Sequence, residues 1–179
     1  MNHRILKSII FDQHEIIKNF HINKREYNFD LNANYVLVGL RRAGKSTLLY
    51  KIAQDLIKQG IEWNQIIYIN FEDERLTDFT IQDFNDILLV QSELSNKKGY
   101  FFFDEIQNVK NFEKVLNSLR ATQNVSIFIT GSNANLLSGE LATLLAGRYV
   151  TFKIMPFTFA ECLQIQNISG LHIHIHLLQ

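Results

Sequence analysis

Near the amino end, Ile5, Leu6, Ile9, Ile10, Ile16 and Ile17 recur at near-helical spacing, which predicts an amphipathic helix over residues 1–20. A polar connector runs to residue 34, and the pattern then changes to short apolar runs. Tyr35-Val36-Leu37-Val38, Ile66-Ile67-Tyr68-Ile69, Tyr100-Phe101-Phe102-Phe103 and residues 125–130 carry no charge, as strands buried on both faces should. Residues 149–154 predict a fifth strand. Between these runs lie helical patterns at residues 45–59, 80–94 with Thr80 as N-cap, 111–121 and 135–145. Gly60 stands where a left-handed residue commonly ends a helix. Strand and helix alternating at this rhythm predict an α/β fold, a parallel sheet with helices on both faces.

Composition narrows this only a little. The chain has 179 residues, 46% of them hydrophobic, which suits one domain with a self-sufficient core. Lys+Arg and Asp+Glu are 18 each, so zero net charge argues against a surface devoted to nucleic acid or anionic membrane. Cys162, the single cysteine, excludes an internal disulfide and a multi-Cys zinc site, and reads as a core thiol. No apolar run approaches the ~20 residues needed to span a bilayer. Asp12, His14 and Glu15 interrupt the basic-then-apolar start before a signal core forms, so the expectation is a cytoplasmic protein without a membrane partner. His172, His174 and His176 share one face of a strand. The first and third would stand about 13 Å apart, too far for one zinc ion.

The chemistry begins at Gly39-Leu40-Arg41-Arg42-Ala43-Gly44-Lys45-Ser46, followed by Thr47. It satisfies G-x-x-x-x-G-K-[ST] in full, between a buried strand and a helix. The glycines let the backbone bend so that successive N–H groups converge on phosphate oxygens, and the helix N-terminus adds partial positive charge. Lys45 reaches for β- and γ-phosphates, and the Ser46 hydroxyl for Mg²⁺. The plain alternative is a glycine-rich turn with incidental basic residues. Arg41 and Arg42 could meet phosphate, a partner or only solvent.

A second signal is Asp104-Glu105, two carboxylates directly after an apolar strand. Ligands of open α/β sheets bind at the carboxyl ends of strands. Asp104 there is placed to hold Mg²⁺ through water, and Glu105 to orient or deprotonate a water attacking the γ-phosphate. Alone, the pair would read as an acidic turn. Asn70 and Thr130-Gly131-Ser132-Asn133 end two further strands on the same edge.

GLRRAGKST, YINFEDERL, FFFDEIQNV, IFITGSNANLLSGE and LAGRYVTFKIMPFTFAE, in this order, resemble the AAA-type ATPases of a widespread prokaryotic family. That family is similar to the origin-recognition and STAND branches of P-loop ATPases. The resemblance covers about residues 35–163 and implies a sheet ordered 5-1-4-3-2, with ATP and Mg²⁺ as ligands. It implies Ser132 or Asn133 as a sensor of the γ-phosphate, and Asn70 as a switch residue holding the catalytic carboxylate. Gln107 completes the family's DEIQ signature without an assigned role. Arg148, in LAGRY, corresponds to an arginine finger, expected at the rim of the carboxyl edge. Such a finger is offered to a neighbouring subunit, and so implies a homo-oligomer. Nucleic acid enters as a partner by family analogy alone.

The expected division is an N-terminal helix and connector (1–34), an ATP-binding core (35–163) and a short tail (164–179). The family continues into a larger C-terminal region with winged-helix-like and nuclease-like parts, and the tail does not resemble it. The expectation is therefore a chain truncated after the ATPase core. Hydrolysis of ATP driving conformational change is the leading reading. A nucleotide-binding switch with little or no turnover is the alternative. Transfer to a small acceptor is disfavoured by Glu105, which suits activation of water.

Overall fold

The four uncharged apolar runs become strands covered on both faces, and residues 150–154 form an edge strand that is largely exposed. The computed structural model describes residues 1–22, 27, 29–30, 33–122, 124–132, 147–159 and 161. The helix expected at 135–145, Asn133, Cys162 and the tail histidines lie outside the described residues. The strands are β1 (Tyr35–Gly39), β2 (Ile66–Asn70), β3 (Gly99–Asp104), β4 (Val125–Ser132) and β5 (Val150–Ile154). All neighbours are parallel, in the order β2-β3-β4-β1-β5, which is the expected 5-1-4-3-2 read from the other side.

Strand alternation is hidden in the sequence because both faces are apolar, yet it divides the core in two. Val36, Val38, Ile67, Ile69, Phe101, Phe103, Ile127 and Ile129 face one cluster, with α3 (Phe84–Leu94) and α4 (Phe112–Thr122). Their neighbours Tyr35, Leu37, Ile66, Tyr68, Tyr100, Phe102 and Phe128 face the other, with α2 (Lys45–Lys58). The N-terminal helix α1 (His3–Asn19) packs beside the edge strand β2 and contributes to both clusters, Leu6, Ile9 and Ile10 to the first and Ile17 to the second. A helix in that position shields an edge strand from pairing with other chains.

Local signals set the boundaries. Gly60, at φ 92°, closes α2: its N–H donates to the Ile57 carbonyl at 3.0 Å and that of Ile61 to Leu56 at 3.1 Å. Thr80 does not open α3 directly. Its N–H and hydroxyl both engage Asp83, at 2.8 and 2.9 Å, and a 3-10 turn over Ile81–Asp83 intervenes before the helix begins at Phe84. Among the described residues, no helix is long and apolar enough to cross a membrane.

One row of rings leads from the fold to the site. Tyr35, Phe128, Phe102 and Tyr68 stand level on β1, β4, β3 and β2, with successive centroids 5.7, 4.8 and 5.9 Å apart and planes within 15°. Such offset stacks add roughly 0.5–1.5 kcal/mol per pair beyond burial. The row ends at the Tyr68 hydroxyl, beneath the carboxyl end of β3.

Candidate functional site

β1 runs into the loop at residues 40–44, and α2 follows at once. Gly39 is required by close approach: a Cβ there would lie 2.3 Å from the Ile154 carbonyl oxygen of β5. Gly44 is required by conformation, at φ 93°, and Arg42 shares the left-handed region at φ 63°. The sequence assigned both glycines to bending the loop; only Gly44 does so, while Gly39 lets β5 pass. No side chain caps the start of α2, and no acidic residue stands in its first turn. Its leading N–H groups are left for an anion. At α1, by contrast, Asn2 Oδ1 accepts from the Arg4 N–H at 2.8 Å.

Lys45 is buried, and its Nζ donates to the Leu40 and Gly39 carbonyls at 3.1 and 3.3 Å. The same nitrogen stands 3.8 Å from Glu105 Oε1. Two clefts meet at these two side chains. One is lined by Arg41, Glu72 and Gln107, the other by Arg42, Gly44, Ser46 and Thr47.

Asp104, 2% exposed, closes β3 beneath them. Its carboxylate accepts from the Tyr68 hydroxyl at 2.9 Å, and from the hydroxyls of Thr130 and Ser46. A carboxylate only accepts, so the Tyr68 hydroxyl is the donor to Asp104, and the Tyr50 ring of α2 packs against Tyr68 at a centroid distance of 5.2 Å. Burial pushes the Asp104 carboxyl up from its ordinary value; the three hydroxyls oppose that push, and the charge of Glu105 adds to it. Hard oxygen donors on a desolvated carboxylate suit a divalent cation, which would reverse the unfavourable burial of charge. Asp104 and Ser46 thus fit Mg²⁺. Magnesium sites of this kind rely on one or two carboxylates completed by substrate phosphates.

Glu105 follows in the left-handed region at φ 51°. For a residue with a side chain this costs about 1–3 kcal/mol, and surrounding contacts must hold it. Its N–H donates to Thr130 Oγ1 at 3.0 Å, and its Oε2 accepts from Gln107 Nε2 at 2.5 Å. Asn70 stands level with Asp104, and its Oδ1 accepts from the Glu72 N–H at 3.0 Å. Ser132 stands level with Gly39, on the strand beside the phosphate loop.

Arg148 corrects an expectation. It precedes β5, and Val150 at the start of that strand donates its N–H to the Asn34 carbonyl at 2.8 Å. In a parallel sheet this is the amino edge, opposite the phosphate loop. Its guanidinium donates to Asn117 Oδ1 of α4 at 3.1 Å.

Several groups at the site were missed by sequence. Tyr68 looked like an ordinary strand residue, with its polar tip in an apolar run as the available signal, and Thr130 was read as a polar strand end on this edge without its contact to Asp104. A further pocket beside Gly44 and Thr47 is lined by Phe20, His21, Tyr27 and Phe157. These come from distant parts of the chain and share no motif.

A family model for the AAA domain matches residues 32–163. An uncharacterized protein of Haemophilus influenzae is 48% identical over 136 residues, 75% of this chain and 34% of its own length. An uncharacterized protein of Methanocaldococcus jannaschii is 37% identical over 167 residues, 92% of this chain and 36% of its own. The chain therefore spans about a third of the curated relatives it matches. Among solved structures, Cdc6p from Pyrobaculum aerophilum aligns with a TM-score of 0.55 at 13% identity, over 90% of this chain and 48% of that one. Hsp104 aligns with a TM-score of 0.52 at 16% identity, over 90% and 28%. These two likenesses concern the fold. Parallel sheet order, phosphate loop and family match agree: the chain belongs to the AAA domain family.

Proposed function

We propose that the chain binds ATP with Mg²⁺ and hydrolyses it to ADP and phosphate, driving conformational change. The observation that carries this is convergence. Lys45, Ser46, Asp104 and Glu105 come from two separate motifs and meet at the uncapped start of α2.

Residues 39–47 cradle the phosphates through backbone N–H groups, and Lys45 exchanges its loop carbonyls for β- and γ-phosphate oxygens. Ser46 and Asp104 hold Mg²⁺. The ion neutralises charge on the phosphates when bound. Glu105 orients a water and accepts its proton as the water oxygen bonds to the γ-phosphorus and the bond to the β-phosphate oxygen breaks. The aromatic pocket beside Gly44 receives the nucleobase between Phe20, Tyr27 and Phe157. Ser132, next to the loop, and Asn133 after it are the sensor candidates, and Asn70 holds the turn at the rim of the site. Arg148 faces away from its own phosphates, so a finger role for it is a role in trans, in a homo-oligomer. Nucleic acid remains a partner by analogy alone.

Phosphate release from Mg·ATP tests the reading, with calorimetry of binding alongside. Turnover that is strongly slowed in Glu105→Gln while binding persists is the expected result. Binding without release by the parent would replace hydrolysis with a nucleotide-binding switch. If Arg148 acts in trans, activity per subunit rises with protein concentration, and mixing Arg148→Ala with Glu105→Gln restores some hydrolysis. A concentration-independent rate unchanged by Arg148→Ala removes the finger.

A further inference from the structure

Side chains two residues apart ordinarily do not face each other on a helical turn. Glu105 and Gln107 do, because Glu105 stands at φ 51° and a 3-10 turn, Ile106–Asn108, follows immediately. The result is the 2.5 Å contact from Gln107 Nε2 to Glu105 Oε2. It fixes the amide, because rotation would bring carbonyl oxygen against carboxylate. The other end of the amide gains nothing from this placement. Gln107 Oε1 is buried and has no hydrogen-bond partner among the described residues. A buried carbonyl without a donor is costly, so the amide is aligned by its contact with Glu105 rather than by its own satisfaction.

The two oxygens of Glu105 are thereby divided. Oε2 is held by Gln107, and Oε1 is turned to Lys45, in the cleft that Arg41 and Glu72 also line. Asn70, expected from the resemblance to hold this carboxylate, accepts at Oδ1 from the Glu72 N–H, and among the described residues no hydrogen bond joins its amide nitrogen to Glu105.

We propose that Gln107 is the positioning residue for Glu105, setting which carboxylate oxygen faces the attacking water. The proposal rests on the hydrolytic reading above and adds to it a control within the same turn of chain. When phosphates draw Lys45 off, Oε1 is left free with its direction already set, so little reorganisation accompanies proton transfer.

The test compares Gln107→Ala, Gln107→Glu and Asn70→Ala in phosphate release from Mg·ATP and in binding of a fluorescent ATP analogue. Gln107→Ala should lower kcat on the order of ten-fold or more, with KM and analogue affinity held within about two-fold. Gln107→Glu keeps the shape but sets a second carboxylate against the first, so it should fall at least as far. Asn70→Ala should lose less than either. A packing role would reverse the order, sparing the isosteric Gln107→Glu. Parental kcat in Gln107→Glu, or a deeper loss in Asn70→Ala than in Gln107→Ala, would overturn the proposal.

The contact can also be read without turnover. In nucleotide-free protein, the stability changes from Glu105→Ala and Gln107→Ala should fail to add, and strict additivity overturns the proposal. A parent that binds the analogue but releases no phosphate, with the two changes still coupled, instead defeats the hydrolytic reading and leaves Gln107 holding an idle carboxylate.

Discussion

At the amino edge of the sheet, Asn34, Gln65 and His14 end on backbone. Asn34 Oδ1 accepts from the Ile127 N–H of β4 at 2.8 Å, while its carbonyl accepts from Val150 of β5. Gln65 donates to the Lys98 carbonyl at 2.9 Å and accepts from the Glu62 N–H at 3.2 Å. His14 of α1 reaches the Ile66 carbonyl at 2.8 Å. At the carboxyl edge the side chains of Asp104 and Glu105 meet other side chains instead. There a buried carboxylate is held above its ordinary pKa, a glutamate is left-handed, a lysine folds onto loop carbonyls and an amide oxygen has no partner among the described residues. Asn64 Oδ1, beside Gln65, also lacks a partner among the described residues, so the buried carboxylate, the left-handed glutamate and the folded-back lysine are what set the edges apart: on these the amino edge is finished and the carboxyl edge is held ready. Buried polar groups satisfied by backbone stabilise a fold, whereas under-satisfied ones persist where a ligand completes them.

The largest expected effect lies at the ready edge. Lys45→Ala removes the one buried side-chain cation beside Glu105 among the described residues, and should weaken binding of Mg·ATP by roughly 100-fold or more, read by calorimetry. Its stability without nucleotide should change little, since Lys45 meets only loop carbonyls and a carboxylate at 3.8 Å. Unchanged affinity would show that the phosphates bind elsewhere.

The two neighbouring carboxylates should separate next. Glu105→Gln keeps shape but cannot take a proton, so kcat should drop roughly 100-fold with affinity preserved. Asp104→Asn should weaken the Mg²⁺-dependent part of binding while leaving stability within about 1 kcal/mol, because it removes a charge whose burial is unfavourable. Swapped phenotypes would overturn the division of roles.

How much of this was legible in the sequence differs between the edges. The ready edge announced itself: GLRRAGKST and FFFDE put glycine, lysine, hydroxyl and carboxylates at strand ends, where no core needs them. The strand order was reached through resemblance, since apolar runs that are buried on both faces carry no mark of their neighbours. The finished edge was silent, because Asn34, Gln65 and His14 lie in a connector, a turn and a helix and act only through contacts distant in sequence. Arg148 was assigned to the wrong edge; chain direction in a parallel strand settles that, as a residue before the strand lies opposite the phosphate loop. The pocket of Phe20, Tyr27 and Phe157 was unreadable for a related reason: it is assembled from three separated segments. Gln107 was visible only as part of a signature, since its contact depends on the φ of Glu105.

A variant at the finished edge should give the converse phenotype. Asn34→Ala leaves the Ile127 N–H without its side-chain partner, part-buried between strands. Chemical denaturation should report a loss of about 1–3 kcal/mol, with Mg·ATP affinity unchanged at temperatures where the variant is folded. A loss of affinity greater than the loss of stability would mean that the two edges are coupled through the sheet.

The smallest effect concerns pH, and it is sought at the amino edge. His14 is 3% exposed, beside Trp63 at a centroid distance of 5.0 Å. Burial pushes its pKa below 6.5; the Ile66 carbonyl opposes this, Lys18 adds to the lowering and Glu15 works against it. The folded state thus favours neutral imidazole, whose Nε2–H donates to Ile66. As pH falls below 6.5 the unfolded chain takes up a proton that the folded chain resists, so stability is present above 6.5 and lost toward the lowered folded value. The loss is at most about 1.4 kcal/mol per pH unit within that window. His14→Gln can keep an N–H donor while removing the titration, and the difference between its denaturation midpoint and the parent's should shrink between pH 7 and pH 5.5. Glu93 and Asp86, which pair with His3 on the same helix, are held below the usual carboxylate range and should titrate below this window. A parent and His14→Gln that lose stability in parallel over that interval would show that His14 is not the group responsible, and that the amino edge is as insensitive to pH there as its other amide contacts.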